Sequence, residues 1–332
     1  MRNSSSVLFQ RTLFLHKIVA AILVLMASMP FAFGQNTDNV LRIGYQKYGT
    51  LVLLKARGTL EKRLAPMHVE VKWTEFPAGP QLLEGLNVGS IDFGTVGEAP
   101  PIFAQAAGAD LVYVGNEPPA SGGEAIVVPK DSPIRTVAEL KGKKVALNKG
   151  SNVHFLLVKL LEQAGVNYKD IDTIFLTPAD ARAAFERGSV DAWVIWEPFL
   201  AAAQKQTGAR ILADGNGVVS NHQFFLASRS YASKRADVVA IILQELASVD
   251  QWAKTNQKEA AIALEPQMGL DRGTLELALS RNGFGVTPVS DAVLAEQQRI
   301  ADTFFDLKLI PKHINVRDAT LPASSTGNQA KR

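Results

Sequence analysis

Two stretches of this chain, ninety-nine positions apart, repeat one pattern. Residues 89–98 read Gly-Ser-Ile-Asp-Phe-Gly-Thr-Val-Gly-Glu, and residues 188–197 read Gly-Ser-Val-Asp-Ala-Trp-Val-Ile-Trp-Glu. Each opens on a Gly-Ser turn, continues as a short apolar run and ends on a glutamate at the same offset. A short apolar run bounded by turn residues reads as a buried strand. One strand written twice implies two like halves.

The repeat is longer than its motif. In the first half a strand from about Val40 to Tyr45 leads into an apolar-periodic helix reaching about Leu64. A strand over 69–76, a helix over 79–87 and the strand from Ile91 follow. The second half repeats that order. It has a strand at 145–147, a helix from Asn152 to about Ala164, a strand at 173–176, a helix over 180–187 and the strand 190–195. Strand–helix alternation predicts right-handed crossovers and an α/β fold of two lobes, each a mostly parallel sheet flanked by helices. In such sheets ligands bind outside the carboxyl ends of the strands. Those ends are Gln46-Lys47, residues 95–98, residues 148–154 and Trp196-Glu197-Pro198, and two lobes facing each other there enclose a cleft.

The first 34 residues stand apart from this organisation. Arg2, Arg11 and Lys17 form a basic leader, residues 18–29 are apolar, Pro30 breaks the run, and Ala32-Phe33-Gly34 supplies small residues for cleavage. This is the pattern of a secretory signal peptide cut near Gly34, which directs the mature chain to the periplasm. The leader holds three of the 35 basic residues and none of the 32 acidic ones, so the mature chain is neutral and lacks the basic excess of a nucleic-acid binder. No cysteine is present, which excludes a disulfide framework and lipid attachment through cysteine. The lobes are assigned as 38–125 for the first segment of lobe I, 126–225 for lobe II and 226–318 for the return to lobe I with its helices. Residues 319–332 read as a loose tail. The Pro/Gly/Ser-rich residues 116–123 make the first crossing.

Several of these segments also resemble a known family. Leu41-Arg-Ile-Gly-Tyr-Gln-Lys47, Phe76-Pro-Ala-Gly-Pro-Gln81, residues 101–115, Thr177-Pro-Ala-Asp-Ala-Arg-Ala-Ala-Phe185 and Val190-Asp-Ala-Trp193 are similar to the aliphatic sulfonate-binding components of ABC importers. The resemblance covers nearly the whole mature chain. It implies a two-lobed periplasmic binding protein that works as a monomer with a membrane permease, needs no cofactor and takes up sulfonates for their sulfur. Sister families bind taurine, nitrate or thiamine precursors, and these ligands remain alternatives. One departure stands out: Val96 occupies a place where the family carries a hydroxyl residue, so no side-chain donor is carried over there.

A sulfonate offers three acceptor oxygens and no proton, so it needs an array of donors. Ser151 and Asn152 open a helix whose exposed N–H groups and dipole favour an anion; the other role of Ser151 is to cap that helix. Gln46 is the matching donor of lobe I, or an ordinary loop residue. Gly97 permits close backbone approach, or simply makes a turn. His154 reads equally as a ligand contact or a surface residue. Trp193 and Trp196, three apart on a strand, face opposite sides: Trp193 is expected in the core and Trp196 beside an apolar tail. Glu98 and Glu197 are expected to accept hydrogen bonds from neighbours or to mark surfaces that meet the permease. No nucleophile elbow, zincin motif or phosphate loop is present, and the five histidines lack metal-ligand spacing. The rival from another class is an enzyme on the same scaffold, like the pyrimidine synthases of thiamine metabolism, and the leader opposes it.

Overall fold

The computed structural model describes residues 39–321. The leader with its processing point lies outside them, as do residues 322–332 of the tail. In chain order the strands are β1 (Val40–Tyr45), β2 (Glu70–Glu75), β3 (Phe93–Gly97), β4 (Leu111–Asn116) and β5 (Glu124–Val128), then β6 (Lys144–Leu147), β7 (Asp172–Phe175), β8 (Ala192–Trp196), β9 (Arg210–Asp214) and β10 (Gln223–Ser228). The helices that flank them are α1 (Gly49–Arg57), α2 (Thr59–Leu64), α3 (Gly79–Asn87), α4 (Ala99–Ala106), α5 (Asn152–Gln163), α6 (Pro178–Glu186) and α7 (Phe199–Thr207). A helical run follows: α8 (Arg229–Lys234), α9 (Ala236–Thr255), α10 (Gln257–Met268), α11 (Arg272–Leu279) and α12 (Asp291–Asp306).

Two five-stranded sheets result, ordered β2-β1-β3-β10-β4 and β7-β6-β8-β5-β9. The two orders are equivalent position by position, as a duplicated half requires. In each sheet four strands run the same way and the fifth, β10 or β5, lies fourth in order and is antiparallel to both neighbours. The exception has a simple cause. Strands β4 and β9 end at the cleft, where the chain crosses over, so the next strand starts at the cleft and runs away from it.

Side chains alternate between two apolar layers. On β10, Phe224 and Leu226 join one buried cluster while Phe225 and Ala227 join another. A strand whose neighbours both face helices is apolar on both sides. The second cluster packs α1, α9 and α10 on the outer face of the first sheet through Leu51, Leu54, Ile242 and Leu264.

The repeated strands begin later than the sequence pattern suggests, at Phe93 and Ala192, and run to Gly97 and, one residue beyond the expected end, to Trp196. Residues 91 and 190 still belong to the turn, held by Asp92 and Asp191 N–H bonds to Arg42 and Lys144 carbonyls. The single helix expected to reach Leu64 is two helices, because Gly58 takes a left-handed conformation at φ +61° and ends α1.

Candidate functional site

A cavity lies between the two sheets at their carboxyl ends. Its first wall is the loop after β1, with Gln46 and Tyr48. Gly97 and Pro100 follow at the end of β3 and the start of α4. Across the cleft stand Ser151 and Asn152 at the start of α5 and Trp196 at the end of β8; Asn221 and Gln223 of the return crossing close the ring. About 330 Å³ of space free of atoms lies within the cavity, its open mouth included. Of the six residues singled out in the sequence, five border it.

Four helices begin at or beside this space, and their N-cap residues are Tyr48, Ala78, Glu98 and Ser151. None of the four makes a side-chain capping bond. Of the helices that start elsewhere, α6, α8, α11 and α12 are capped by Thr177, Ser228, Asp271 and Ser290, while α2, α7, α9 and α10 have no side-chain cap. The first N–H groups of a helix have no carbonyl of their own helix to reach. Uncapped starts gathered around one space therefore present donors and positive dipole ends to it. Ser151 occupies the N-cap position expected of it, but its hydroxyl turns away and donates to the Asn148 carbonyl at 2.7 Å. Gln46 likewise donates from Nε2 to the Thr95 carbonyl at 3.0 Å.

Asn152 joins the lobes. Its Oδ1 accepts the Ala99 N–H at 3.1 Å, and its Nδ2 donates to Asn221 Oδ1 at 2.5 Å. The amide lies directly on Gly97, where an added methyl would come within 2.1 Å of Asn152 Oδ1. Glycine is required there for this approach. Asn221, at φ +53°, adopts the left-handed conformation that asparagine tolerates, and anchors the second crossing to the first by donating to the Ala120 carbonyl at 2.9 Å.

Among the described residues no lysine or arginine borders the cavity. Lys47 faces Glu75 at 3.8 Å, and Lys149 is exposed over the Phe175 ring. Acids are nevertheless buried close by. Glu98, Glu117, Glu124 and Glu197 are each less than 5% exposed. Burial pushes Glu98 up to about 8, although the His222 N–H donates to it. Glu124 shares a register position with Trp196, so its side chain leaves the same face of the sheet. Neither of its oxygens has a hydrogen-bond partner among the described residues, and burial, with Glu98 nearby, holds it well above the usual carboxylate range. Burial, and then Asp250, raises Glu117 likewise. The Tyr48 phenol is also pushed well up, chiefly by burial and then by the acids near it. The raised values favour the protonated, neutral forms of these groups, which bring less negative charge to the cavity.

Glu197 differs, because Arg281 meets it at 2.5 Å and the Ala201 N–H at 3.0 Å. Burial raises its pKa and Arg281 pulls it part of the way back. Both glutamates accept hydrogen bonds, as one of the two expectations had it. Neither marks an outer surface.

His154 is not at the cavity, and it is not a surface residue either. Two positions beyond Asn152 on a helix is a rotation of about 200°, which turns the ring away among Phe103, Tyr168, Phe175 and Phe304. Its Nδ1 accepts the Gly150 N–H at 3.2 Å, leaving Nε2 to donate to the Tyr168 hydroxyl at 2.8 Å. Burial lowers its pKa to about 4, so the ring is neutral. Trp193 is 1% exposed and packs on Phe185, as a core residue does, while Trp196 borders the cavity. Tyr48, Asn221 and Gln223 escaped the sequence reading. For the last two the available signal was a polar Asn-His-Gln run set directly before the buried strand at Phe224.

Residues 69–260 match the family model described as NMT1/THI5 like. A putative aliphatic sulfonates-binding protein of Escherichia coli (strain K12) is 46% identical over 90% of this chain and 94% of its own length. The alkanesulfonate-binding protein from Xanthomonas axonopodis pv. citri, solved bound to MOPS, superposes with a TM-score of 0.81 at 44% identity, over 85% of this chain and 98% of that one. The periplasmic aliphatic sulphonate binding protein from Escherichia coli superposes with a TM-score of 0.78 at 46% identity, over 89% and 96%.

Proposed function

This chain belongs to the aliphatic sulfonate-binding proteins of the NMT1/THI5-like family, and from that membership we propose that it is the periplasmic receptor of an ABC importer. It takes an aliphatic sulfonate into the cleft and hands it, chemically unchanged, to a membrane permease. The leader of residues 1–34 is removed near Gly34, and the mature chain acts as a monomer in the periplasm.

The observation that carries this reading is the set of four uncapped helix starts around one cavity that no cation borders among the described residues. A sulfonate stays ionised at any physiological pH, so it is held by hydrogen bonds to charge, each contributing roughly 1.5–3 kcal/mol. The headgroup sits against Ser151 and Asn152. The Ser151 hydroxyl and the Gln46 amide rotate from their backbone carbonyls to reach it, and the Gly97 backbone approaches from the other lobe. Trp196 offers an apolar wall to the carbon chain. The raised pKa values of Glu98 and Glu124 support the same reading, since ionised carboxylates there would oppose an anion.

A thermal-shift panel of alkanesulfonates, taurine, sulfate, nitrate and thiamine precursors tests it. An alkanesulfonate at a hundred times its Kd stabilises the fold by about 2.7 kcal/mol, and mass spectrometry recovers it unaltered. A shift produced by a thiamine precursor alone, or chemical conversion of the ligand, overturns the proposal.

A further inference from the structure

The walls of the cavity continue into a second one. On one lobe the wall passes from Gln46 and Tyr48 to Tyr48 and Gly49; on the other it passes from Trp196 to Glu197 and Pro198. Two chain segments, one from each lobe, thus run from the first space into the next. Tyr48 belongs to both and is only 7% exposed, so its ring is the partition between them.

The far side of the second space is apolar apart from Asn282, with Leu264 and Met268 from α10 and Leu275 and Leu279 from α11. Its one acid presents no free charge, because Arg281 and the Ala201 N–H engage the Glu197 carboxylate. The donors of the first cavity lie at Ser151 and Asn152, whereas Trp196 leads toward the second. A ligand with an anionic head and a hydrocarbon chain matches this polarity in only one direction.

We propose that the second cavity receives the far end of the ligand's hydrocarbon chain, which passes Tyr48 to reach it. The site then selects alkanesulfonates long enough to cover Leu275, Leu279 and Met268. This rests on the sulfonate reading above.

Calorimetry with sodium methane-, butane- and octanesulfonate tests it on the mature chain and on Met268→Ala and Met268→Asp. Met268 is partly exposed in the last turn of α10, at the edge of the second hydrophobic cluster, and a melting curve verifies the fold of each variant. Affinity rises by about fourfold for each methylene that the second cavity buries. Met268→Ala weakens octanesulfonate on the order of tenfold, and Met268→Asp weakens it further. Methanesulfonate binds all three proteins alike. Octanesulfonate binding that survives in both variants overturns the proposal, as does an equal loss at every chain length. If methanesulfonate binds but affinity stays flat with length, only the second cavity's role fails. If no sulfonate binds the wild-type chain, the functional reading fails with it.

Discussion

Glu98 and Glu197 end the two copies of one strand, and each is 1% exposed. Their partners differ. Glu197 has a guanidinium, because Arg281, just past the end of α11, reaches into the second lobe. Glu98 has the His222 N–H on one oxygen and no partner on the other among the described residues. The residue before each glutamate differs as much, glycine in one copy and tryptophan in the other. Duplication has thus preserved the strand and its turn but not their surroundings. The helices after β10 bring a cation to one copy and not to the other. The two acids reach compatibility with an anion site by separate routes, one through an ion pair and the other through a raised pKa.

That contrast is most easily broken at Arg281. Arg281→Met leaves the Glu197 carboxylate buried without its cation, which costs about 3–5 kcal/mol. Adding Glu197→Gln removes the stranded charge and recovers most of the loss. Urea denaturation of both variants measures this. If the single variant is no worse than the double, the ion pair is not what holds Glu197.

Glu98 sharpens the other side. Its folded pKa of about 8 stands above an ordinary 4.5, so the folded state holds the proton more tightly than the unfolded one. Its contribution is fully favourable below about pH 4.5 and is lost as pH rises toward 8. Glu98→Gln removes that slope. The variant therefore gains on the wild type with rising pH, by a few kcal/mol above pH 8, as paired denaturation series at several pH values would record. A difference that does not vary with pH means that Glu98 is ionised in the fold.

The smallest effect is expected at Gly97. A methyl there displaces the Asn152 amide and its bonds to Ala99 and Asn221, so Gly97→Ala weakens ligand binding by about 1–3 kcal/mol. Calorimetry with one alkanesulfonate reads the loss. Unaltered affinity would show that Asn152 adapts and that the close approach at Gly97 is dispensable.

Much of this was legible in the sequence because it depends on local order. Strand–helix alternation and the repeated motif point to two α/β lobes. Gln46, Gly97, Ser151, Asn152 and Trp196 stand out because each sits where a strand ends or a helix begins. Asn221 and Gln223 do not, since they reach the cavity only through the pairing of Gln223 with Gly97, which links distant parts of the chain. The burial of Glu117 and Glu124 was hidden for a similar reason: both lie at the first crossing, whose Pro- and Gly-rich sequence resembles an exposed loop. His154 misled because being close in sequence to a helix start does not fix which way the ring points.

The interleaved strand order also dictates a sequence of assembly. Strands β5 to β9 follow one another without interruption, so the second sheet holds all its members once Asp214 has been made. The first sheet does not. Its inner strand β10 fits between β3 and β4, pairing Phe225 with Thr95 across the whole intervening lobe. Until that distant segment arrives, β3 and β4 have no inner neighbour and leave unpaired edges facing one another, the kind of edge that invites pairing with another chain. Contacts so far apart in the chain form slowly. The half synthesised first is therefore the half completed last, and it is the one that needs protection from its neighbours in the meantime.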